Sequence, residues 1–175
     1  SEGGHAGFAP ADEEEINLLL HLVNRYGHVS TERVCSGMGL FHIYSWRKER
    51  QKDIEPEWLA ERLAKAADPA SVIVEAALDE NRTCRICQKT LEMFVAILGS
   101  EAGDMALKVL ATGGVYLGGG ILPRIRSVLK QGCLTDAFRR KGRMSKLMRD
   151  MPLHVILNPR AALMGASRYG MSRIP

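Results

Sequence analysis

The chain has 175 residues, of which 46% are hydrophobic and 25% are charged, a composition that suits one globular domain with a real core. These proportions exclude wholesale disorder and a fibrous repeat. No apolar run approaches the ~18 residues of a membrane span, the first residues do not resemble a signal peptide, and four cysteines are too few for a disulfide framework, so a reducing compartment is expected.

The charge is distributed unevenly along the chain. Its net value is +4, yet residues 1–80 carry 8 basic and 15 acidic side chains, whereas residues 81–175 carry 16 and 5. The densest basic stretch, 139–149, could form a nucleic-acid-binding face. No aromatic side chains are interleaved with its cations for base stacking, which favours a solvated helical surface, so no nucleic-acid partner is predicted. The cations are Arg139, Arg140, Lys141, Arg143, Lys146 and Arg149.

Start and stop signals predict mostly helices. Asp12 and Glu15 form a capping-box pair that opens a first helix, which ends at Gly27. The apolar positions assigned to this helix are Ile16, Leu19, Leu20 and Val23. Ser30 is the expected N-cap of a second helix, which places Glu32 in its first turn.

Further helices are predicted downstream. Pro56 and Pro69 stand at expected first helical positions, and a long helix is predicted over 82–98. Gly99 and Gly103 are expected to interrupt it before another helical stretch that reaches Leu110. A helix between the first two and Pro56 carries one apolar face, made of Leu40, Ile43 and Tyr44. The buried stripe of the long helix is predicted to consist of Cys87, Leu91, Phe94 and Leu98.

Two segments are predicted as strands, 115–117 and 153–157. Asn158 and Pro159 then provide the N-cap and first residue of another helix. A strand followed by a loop and a helix is typical of the βα units of a mainly parallel sheet. Because two strands do not make a stable sheet by themselves, further strands are expected before Ser1.

Glutamates and a histidine near the start of the chain form the first candidate site. Glu2 and His5 flank a Gly-Gly pair, and Glu32 lies where a helix dipole would favour an ionised carboxylate. Carboxylates and an imidazole on glycine-rich backbone suit a polyhydroxylated ligand. On spacing alone, ordinary roles are favoured, with Glu32 as a helix-start residue and His5 as a loop residue.

The second candidate is the turn Gly118-Gly119-Gly120, which follows the first strand. Glycine allows backbone amides to approach a flat base or a phosphate at a strand–helix junction. The turn matches neither the Walker A pattern nor G-x-G-x-x-G, and a tight turn with close helix–sheet packing explains it equally well.

The third candidate is the pair Cys84 and Cys87. No second pair of ligands follows at zinc spacing, and both cysteines lie on the apolar face of the long predicted helix. A structural role is therefore favoured, and no metal site is predicted. Four scattered histidines are expected to pack or cap: His21, His28, His42 and His154.

A series of short motifs is spread in order along nearly the whole chain. They are Glu2-Gly-Gly-His5, Phe8-Ala-Pro10, Glu13-Glu-Glu15, Gly27-His-Val-Ser30, Glu32-Arg-Val34, Ser36-Gly37, Gly39-Leu40, Gly113-Gly-Val115, Gly119-Gly-Ile121, Pro123, Phe138, Lys141-Gly-Arg143, Pro152 and Leu163-Met-Gly165-Ala. This series resembles the bacterial-type glucokinase family. Met38 departs from the pattern, since a proline is common there in the family.

The resemblance implies that residues 1–175 form the C-terminal (large) domain of an ATP-dependent glucokinase, truncated on its N-terminal side. The implied α/β fold is the actin-like (ribonuclease H-like) one. By the same resemblance the sugar is held by Glu2, His5 and Glu32, and the adenosine of ATP lies beside Gly118, Gly119 and Gly120. The general base, an aspartate, belongs to the missing N-terminal domain. No catalytic residue is therefore expected in this chain, and the chain alone is expected to be inactive.

The implied reaction converts D-glucose and ATP, with Mg²⁺ in the complete enzyme, into glucose 6-phosphate and ADP in glycolysis. A kinase for another hexose and a non-catalytic, sugar-responsive binding module are the alternatives. The expected partners are glucose, ATP and the N-terminal domain; a homodimer stays open, and neither a nucleic acid nor a membrane is expected. The expected location is the cytoplasm, with a peroxisome-like organelle left open if the chain continues beyond Pro175.

Overall fold

In the computed structural model, which describes residues 2–50 and 53–174, helices pack against one face of a small parallel sheet, and Tyr116 lies on its other, exposed face. The elements in chain order are α1 (Glu13–Tyr26), α2 (Gly37–Glu49), α3 (Glu57–Lys65), α4 (Pro69–Leu78), α5 (Arg85–Val109), β1 (Val115–Leu117), α6 (Arg126–Leu129), α7 (Cys133–Arg139), α8 (Ser145–Asp150), β2 (Leu153–Val155) and α9 (Ala161–Met171). Single 3₁₀ turns occupy Gly3–His5, Thr31–Arg33 and Gly142–Met144. Within the described residues no helix combines the length and apolar character that a membrane crossing requires.

The predicted capping signals define several of these helices. The Asp12 carboxylate accepts the backbone N–H of Glu15 at 3.0 Å, and α1 ends at Gly27, whose φ of 71° is unfavourable for other residues. Pro69 is the first residue of α4, as predicted, whereas Pro56 lies one residue before α3. Local backbone chemistry therefore determines where these helices begin.

The core-facing side of α1 agrees only in part with the predicted one, of which Leu19 packs against the core. Leu18 and Leu22 are buried, whereas Ile16, Leu20 and Val23 are 47%, 55% and 39% exposed. Each set has helical spacing, so hydropathy alone is compatible with either face.

The helix α1 also buries a carboxylate, that of Glu15, which accepts the backbone N–H of Ala11 at 2.7 Å. Burial raises the pKa of that carboxyl above its ordinary value.

The long helix α5 runs without a break through Gly99 and Gly103, contrary to the predicted interruption. A Cβ added at Gly99 would lie 2.3 Å from the carbonyl oxygen of Leu134, and one at Gly103 would lie 2.5 Å from that of Phe138. The two glycines, one turn apart, therefore let the α7 backbone approach α5 closely. Of the predicted stripe, Leu98 is half-buried and the other members are buried: Cys87, Leu91 and Phe94.

The two strands pair in parallel, as predicted. Val115 lies opposite Leu153 and Leu117 lies opposite Val155, and these four side chains pack against the core. The helix that follows β2 begins at Ala161, two residues after the predicted start. Among the described residues the sheet has two strands, so each strand has one unpaired edge.

We predict that Gly99→Ala lowers the free energy of unfolding by about 1–3 kcal/mol, because the new methyl group overpacks the contact with α7. Gly165→Ala in α9 is the matched control, since its Cβ would meet no atom within 4 Å. That control should raise stability by up to about 1 kcal/mol through helix propensity. Urea denaturation of both variants measures the difference, and equal effects would contradict the close-approach interpretation.

We predict that Leu110→Gly stabilises the protein by about 0.5–1 kcal/mol, although it removes an apolar side chain. Leu110 ends α5 in the left-handed region, with φ of 50°, and it is 58% exposed. Glycine adopts this conformation without strain. Leu110→Ala keeps the Cβ and should give no such gain, so the thermal midpoints of the two variants check the origin of the effect.

Candidate functional site

Two 3₁₀ turns, Gly3–His5 and Thr31–Arg33, are brought together by backbone hydrogen bonds between the segments next to them. The N–H of Phe8 donates to the carbonyl of Val29, and that of Thr31 donates to the carbonyl of Ala6, both at 2.9 Å. Gly7 and Ser30 form an antiparallel bridge between the same segments. Residues that are distant in sequence therefore become neighbours.

The side chains of Glu2, His5 and Glu32 converge in the structure. Nδ1 of His5 lies 3.6 Å from Oε2 of Glu2 and 3.7 Å from Oε2 of Glu32. Both distances exceed those of a hydrogen bond, so the carboxylate oxygens keep lone pairs available to a ligand. All three side chains are at least half exposed, which leaves the cluster open to solvent.

The second helix predicted after Ser30 is only the turn Thr31–Arg33, and α2 begins later, at Gly37. The expected helix dipole at Glu32 is therefore wrong, because a single 3₁₀ turn has no aligned series of peptide dipoles. Glu32 is held through its backbone instead. The Ser36 hydroxyl donates to the Glu32 carbonyl at 2.7 Å and accepts the Gly39 N–H at 3.1 Å, which also caps α2.

Two histidines support these turns, a more specific role than the packing or capping that the sequence predicts for them. Nε2 of His28 lies 3.1 Å from the carbonyl oxygen of His5, and Nδ1 of His42 lies 2.8 Å from that of Arg33. Since a carbonyl can only accept, each ring nitrogen donates. The partners are backbone atoms, so side-chain identity alone gave no signal for them.

The glycine turn 118–120 lies at the carboxyl end of β1, between two clefts. The larger cleft, of about 750 Å³, is mostly apolar and is also lined by Ile156, Leu157 and Pro159. The smaller one, of about 210 Å³, extends to Cys35 and Ser36. Ser36 is the residue whose hydroxyl binds the Glu32 carbonyl, so the turn adjoins the support of the glutamate–histidine cluster.

The glycines of this turn are not all required by packing. Gly119 has a φ of 136°, a conformation that other residues rarely adopt, whereas a Cβ at Gly119 or Gly120 would meet no atom within 4 Å. The backbone beside the larger cleft is therefore unobstructed and open to a flat group. The helix predicted near Pro123 is the short α6, which begins at Arg126.

The cysteine pair lies in the core. Cys84 and Cys87 are 1% and 0% exposed and pack with Tyr44, Leu59 and Ile73. Burial raises the pKa of the Cys87 thiol, which disfavours the thiolate that a metal requires. In the part of the chain that the structure describes, no group of three His, Cys, Asp or Glu side chains could hold a metal ion.

A family model described as Glucokinase matches residues 1–173 of the chain. The chain belongs to the glucokinase family. It is 42% identical to a glucokinase of Caulobacter sp. strain K31, over 95% of this chain and 47% of that protein. It is 38% identical to a glucokinase of Trichormus variabilis, over 95% of this chain and 52% of that protein.

The crystal structure of a glucokinase from an Antarctic psychrotroph is similar to the chain, with a TM-score of 0.75 and 32% identity. The similarity covers 98% of this chain and 50% of that structure. The chain thus spans about half the length of the glucokinases it matches. The helix-rich α/β fold of the chain is thus shared with a member of the glucokinase family.

We predict that the Cys84–Cys87 pair binds no zinc, because both thiols are buried in an apolar cluster. A structural zinc site would stay filled in protein purified without chelator. Elemental analysis of such protein should instead give less than about one-tenth of an equivalent of zinc. Stoichiometric zinc that disappears in a Cys84→Ala, Cys87→Ala double variant would contradict this prediction.

Proposed function

We propose that the chain is the C-terminal (large) domain of an ATP-dependent glucokinase with the actin-like fold. The enzyme transfers the γ-phosphoryl group of ATP to the 6-hydroxyl of D-glucose and forms glucose 6-phosphate and ADP. The observation that carries this proposal is the convergence of Glu2, His5 and Glu32 in a chain of the glucokinase family.

The chemistry of these three side chains suits a sugar. A hydroxyl-rich ligand leaves water without penalty only if each hydroxyl regains a hydrogen-bond partner. A carboxylate accepts from two neighbouring hydroxyls, and an imidazole donates or accepts. Hydrogen bonds to charged groups contribute about 1.5–3 kcal/mol each, so two glutamates supply much of the binding free energy.

The glycine turn is proposed to lie beside the adenosine of ATP. The open backbone at Gly119 and Gly120 and the apolar lining of the larger cleft suit a flat base. Ser36 connects the turn with the sugar-binding cluster. It lines the smaller cleft together with the three glycines, and its hydroxyl donates to the Glu32 carbonyl. Sugar and nucleotide would thus bind to neighbouring parts of the same domain.

The remaining catalytic groups are assigned outside this chain. The proposed general base is an aspartate of an N-terminal domain, and the role of this chain is to bind and orient the sugar. Mg²⁺ bound with ATP neutralises phosphate charge in such reactions. Among the described residues no group of three His, Cys, Asp or Glu side chains fits a metal ion, so no metal ligand is assigned to them.

The two strands of the small sheet have three residues each and one unpaired edge each. These edges could pair with further strands of a larger sheet. Closure of a second domain over the exposed glutamates would exclude water from the reacting atoms. A role in glycolysis and a cytoplasmic location belong to the same proposal.

We predict that Glu2→Gln and Glu32→Gln in the full-length protein each weaken glucose binding about tenfold or more, or ~1.4 kcal/mol. Glutamine keeps the shape of the side chain but replaces one accepting oxygen with a donating amide. The dissociation constant for ATP without sugar should stay within about twofold, since these groups are assigned to the sugar. Isothermal titration of glucose and ATP separately measures both constants.

Glu61→Gln is the matched control, because it neutralises an exposed carboxylate on α3 away from the cluster. It should leave both constants unchanged. Unchanged glucose affinity in Glu32→Gln, or lost ATP affinity with glucose binding intact, would remove Glu32 from the sugar site. Titration of mannose in parallel separates a glucokinase from a kinase for another hexose.

A further inference from the structure

The turn that carries Glu32 rests on a buried histidine from α2. His42 is 8% exposed, and its Nδ1 lies 2.8 Å from the carbonyl oxygen of Arg33, the residue after Glu32. Its Nε2 lies 3.0 Å from the hydroxyl of Tyr26 at the end of α1. Both ring nitrogens are therefore engaged, one toward the turn and the other toward α1.

The partners determine the direction of both hydrogen bonds. The Arg33 carbonyl can only accept, so Nδ1 of His42 carries the proton and donates. In that neutral tautomer Nε2 can only accept, so the Tyr26 hydroxyl donates to it. The Arg33 carbonyl thus selects this tautomer, and the Tyr26 hydroxyl stabilises it by donating to Nε2.

Tyr26 also restrains Arg33 directly. The Arg33 guanidinium lies over the Tyr26 ring, with Cζ 4.0 Å from the ring centroid, within the range of a cation–π interaction. Arg33 is thus held by its carbonyl through His42 and by its side chain through Tyr26. No comparable contact holds the Glu32 carboxylate, whose polar neighbour among the described residues is His5 at 3.7 Å.

We propose that His42, oriented by Tyr26, is a positioning residue for the sugar-binding carboxylate of Glu32. It acts through the backbone of Arg33 and does not touch the sugar. The inference rests on the proposed function, because it assumes that Glu32 contacts glucose. The carboxylate is half exposed and held through its backbone, so a displaced turn would displace its acceptor oxygens from the sugar hydroxyls.

Two amide substitutions in the full-length protein separate positioning from general stability. His42→Asn places an amide nitrogen near the position of Nδ1 and can still donate to the Arg33 carbonyl. His42→Gln reaches toward Tyr26 instead and leaves that carbonyl without its donor. Both replace a buried imidazole with an amide, so their thermal midpoints should fall by similar amounts.

Glucose affinity is expected to distinguish the two variants. His42→Gln should raise the KM and the dissociation constant for glucose about fivefold, the loss expected from one hydrogen bond. His42→Asn should stay within about twofold of the parent protein. The KM for ATP should be unchanged in both, and His21→Gln, which alters a histidine paired with Glu49, should change neither constant.

A double-mutant cycle tests whether His42 acts through Glu32. In the Glu32→Gln background, His42→Gln should lose most of its effect on glucose affinity, because the positioned carboxylate is already gone. Additive effects, equal losses for glucose and ATP, or failure of His42→Asn to restore glucose affinity would each overturn the positioning role. If His42→Gln does not fold, Tyr26→Phe provides the test, because it removes only the hydroxyl. This variant should still weaken glucose binding and leave ATP binding unaffected. Unchanged glucose affinity in Tyr26→Phe would overturn the proposal.

The two proposals fail in different ways. If Glu32→Gln leaves glucose affinity unchanged, the assignment of the sugar site is wrong. If Glu32→Gln weakens glucose binding and neither His42→Gln nor Tyr26→Phe does, the sugar site stands and only the positioning role is lost.

Discussion

The close approach of α7 to α5 at Gly99 and Gly103 is the contact on which the rest of the structure depends. Lys141, just after α7, reinforces it by donating to the Ser100 carbonyl at 2.8 Å and pairing with Asp104 at 2.7 Å. The helix α5 also packs against α2 and α4. A single helix thus connects the element that carries His42 with the region that leads into β2.

The same helix reaches both parts of the candidate site. Glu101 lies 3.5 Å from the Thr31 hydroxyl in the turn that bears Glu32, and Phe94 and Leu98 line the smaller cleft below the glycine turn. Burial raises the pKa of the Cys35 thiol in that cleft to about 12, and the negative charge of Glu101 adds to the effect. This cysteine is therefore a neutral packing group between the two regions.

Much of the fold could be predicted from local signals, because caps and turns depend on a few adjacent residues. Asp12, Gly27 and Pro69 acted as expected. The errors arose where tertiary contacts outweigh local preference. Gly99 lowers helix propensity, yet the absence of a side chain there is what allows α7 to approach α5. In α1 the exposed row of side chains is as apolar as the buried row, so hydropathy could not identify the buried one.

The candidate site was harder to predict for a similar reason. Spacing alone favoured ordinary roles for His5 and Glu32, and only the family resemblance joined them. The contacts that bring them together run between backbone atoms of Ala6, Phe8, Val29 and Thr31, which leave no chemical signature in the sequence. The histidines that support the turns also bind carbonyls, so residue type could not reveal their partners.

The short parallel strand pair has a consequence for local stability. Three residues per strand provide few cooperative hydrogen bonds, which lowers the free energy of local opening for this pair relative to the long helices. Beyond the pairing itself, the N–H of Ile156, a residue that lines the larger cleft, donates to the Leu117 carbonyl at 2.8 Å. A ligand that binds only the closed form reduces opening by mass action. Amide hydrogen exchange at Ile156 is therefore expected to slow when such a ligand occupies the cleft, so this backbone group would report the bound state.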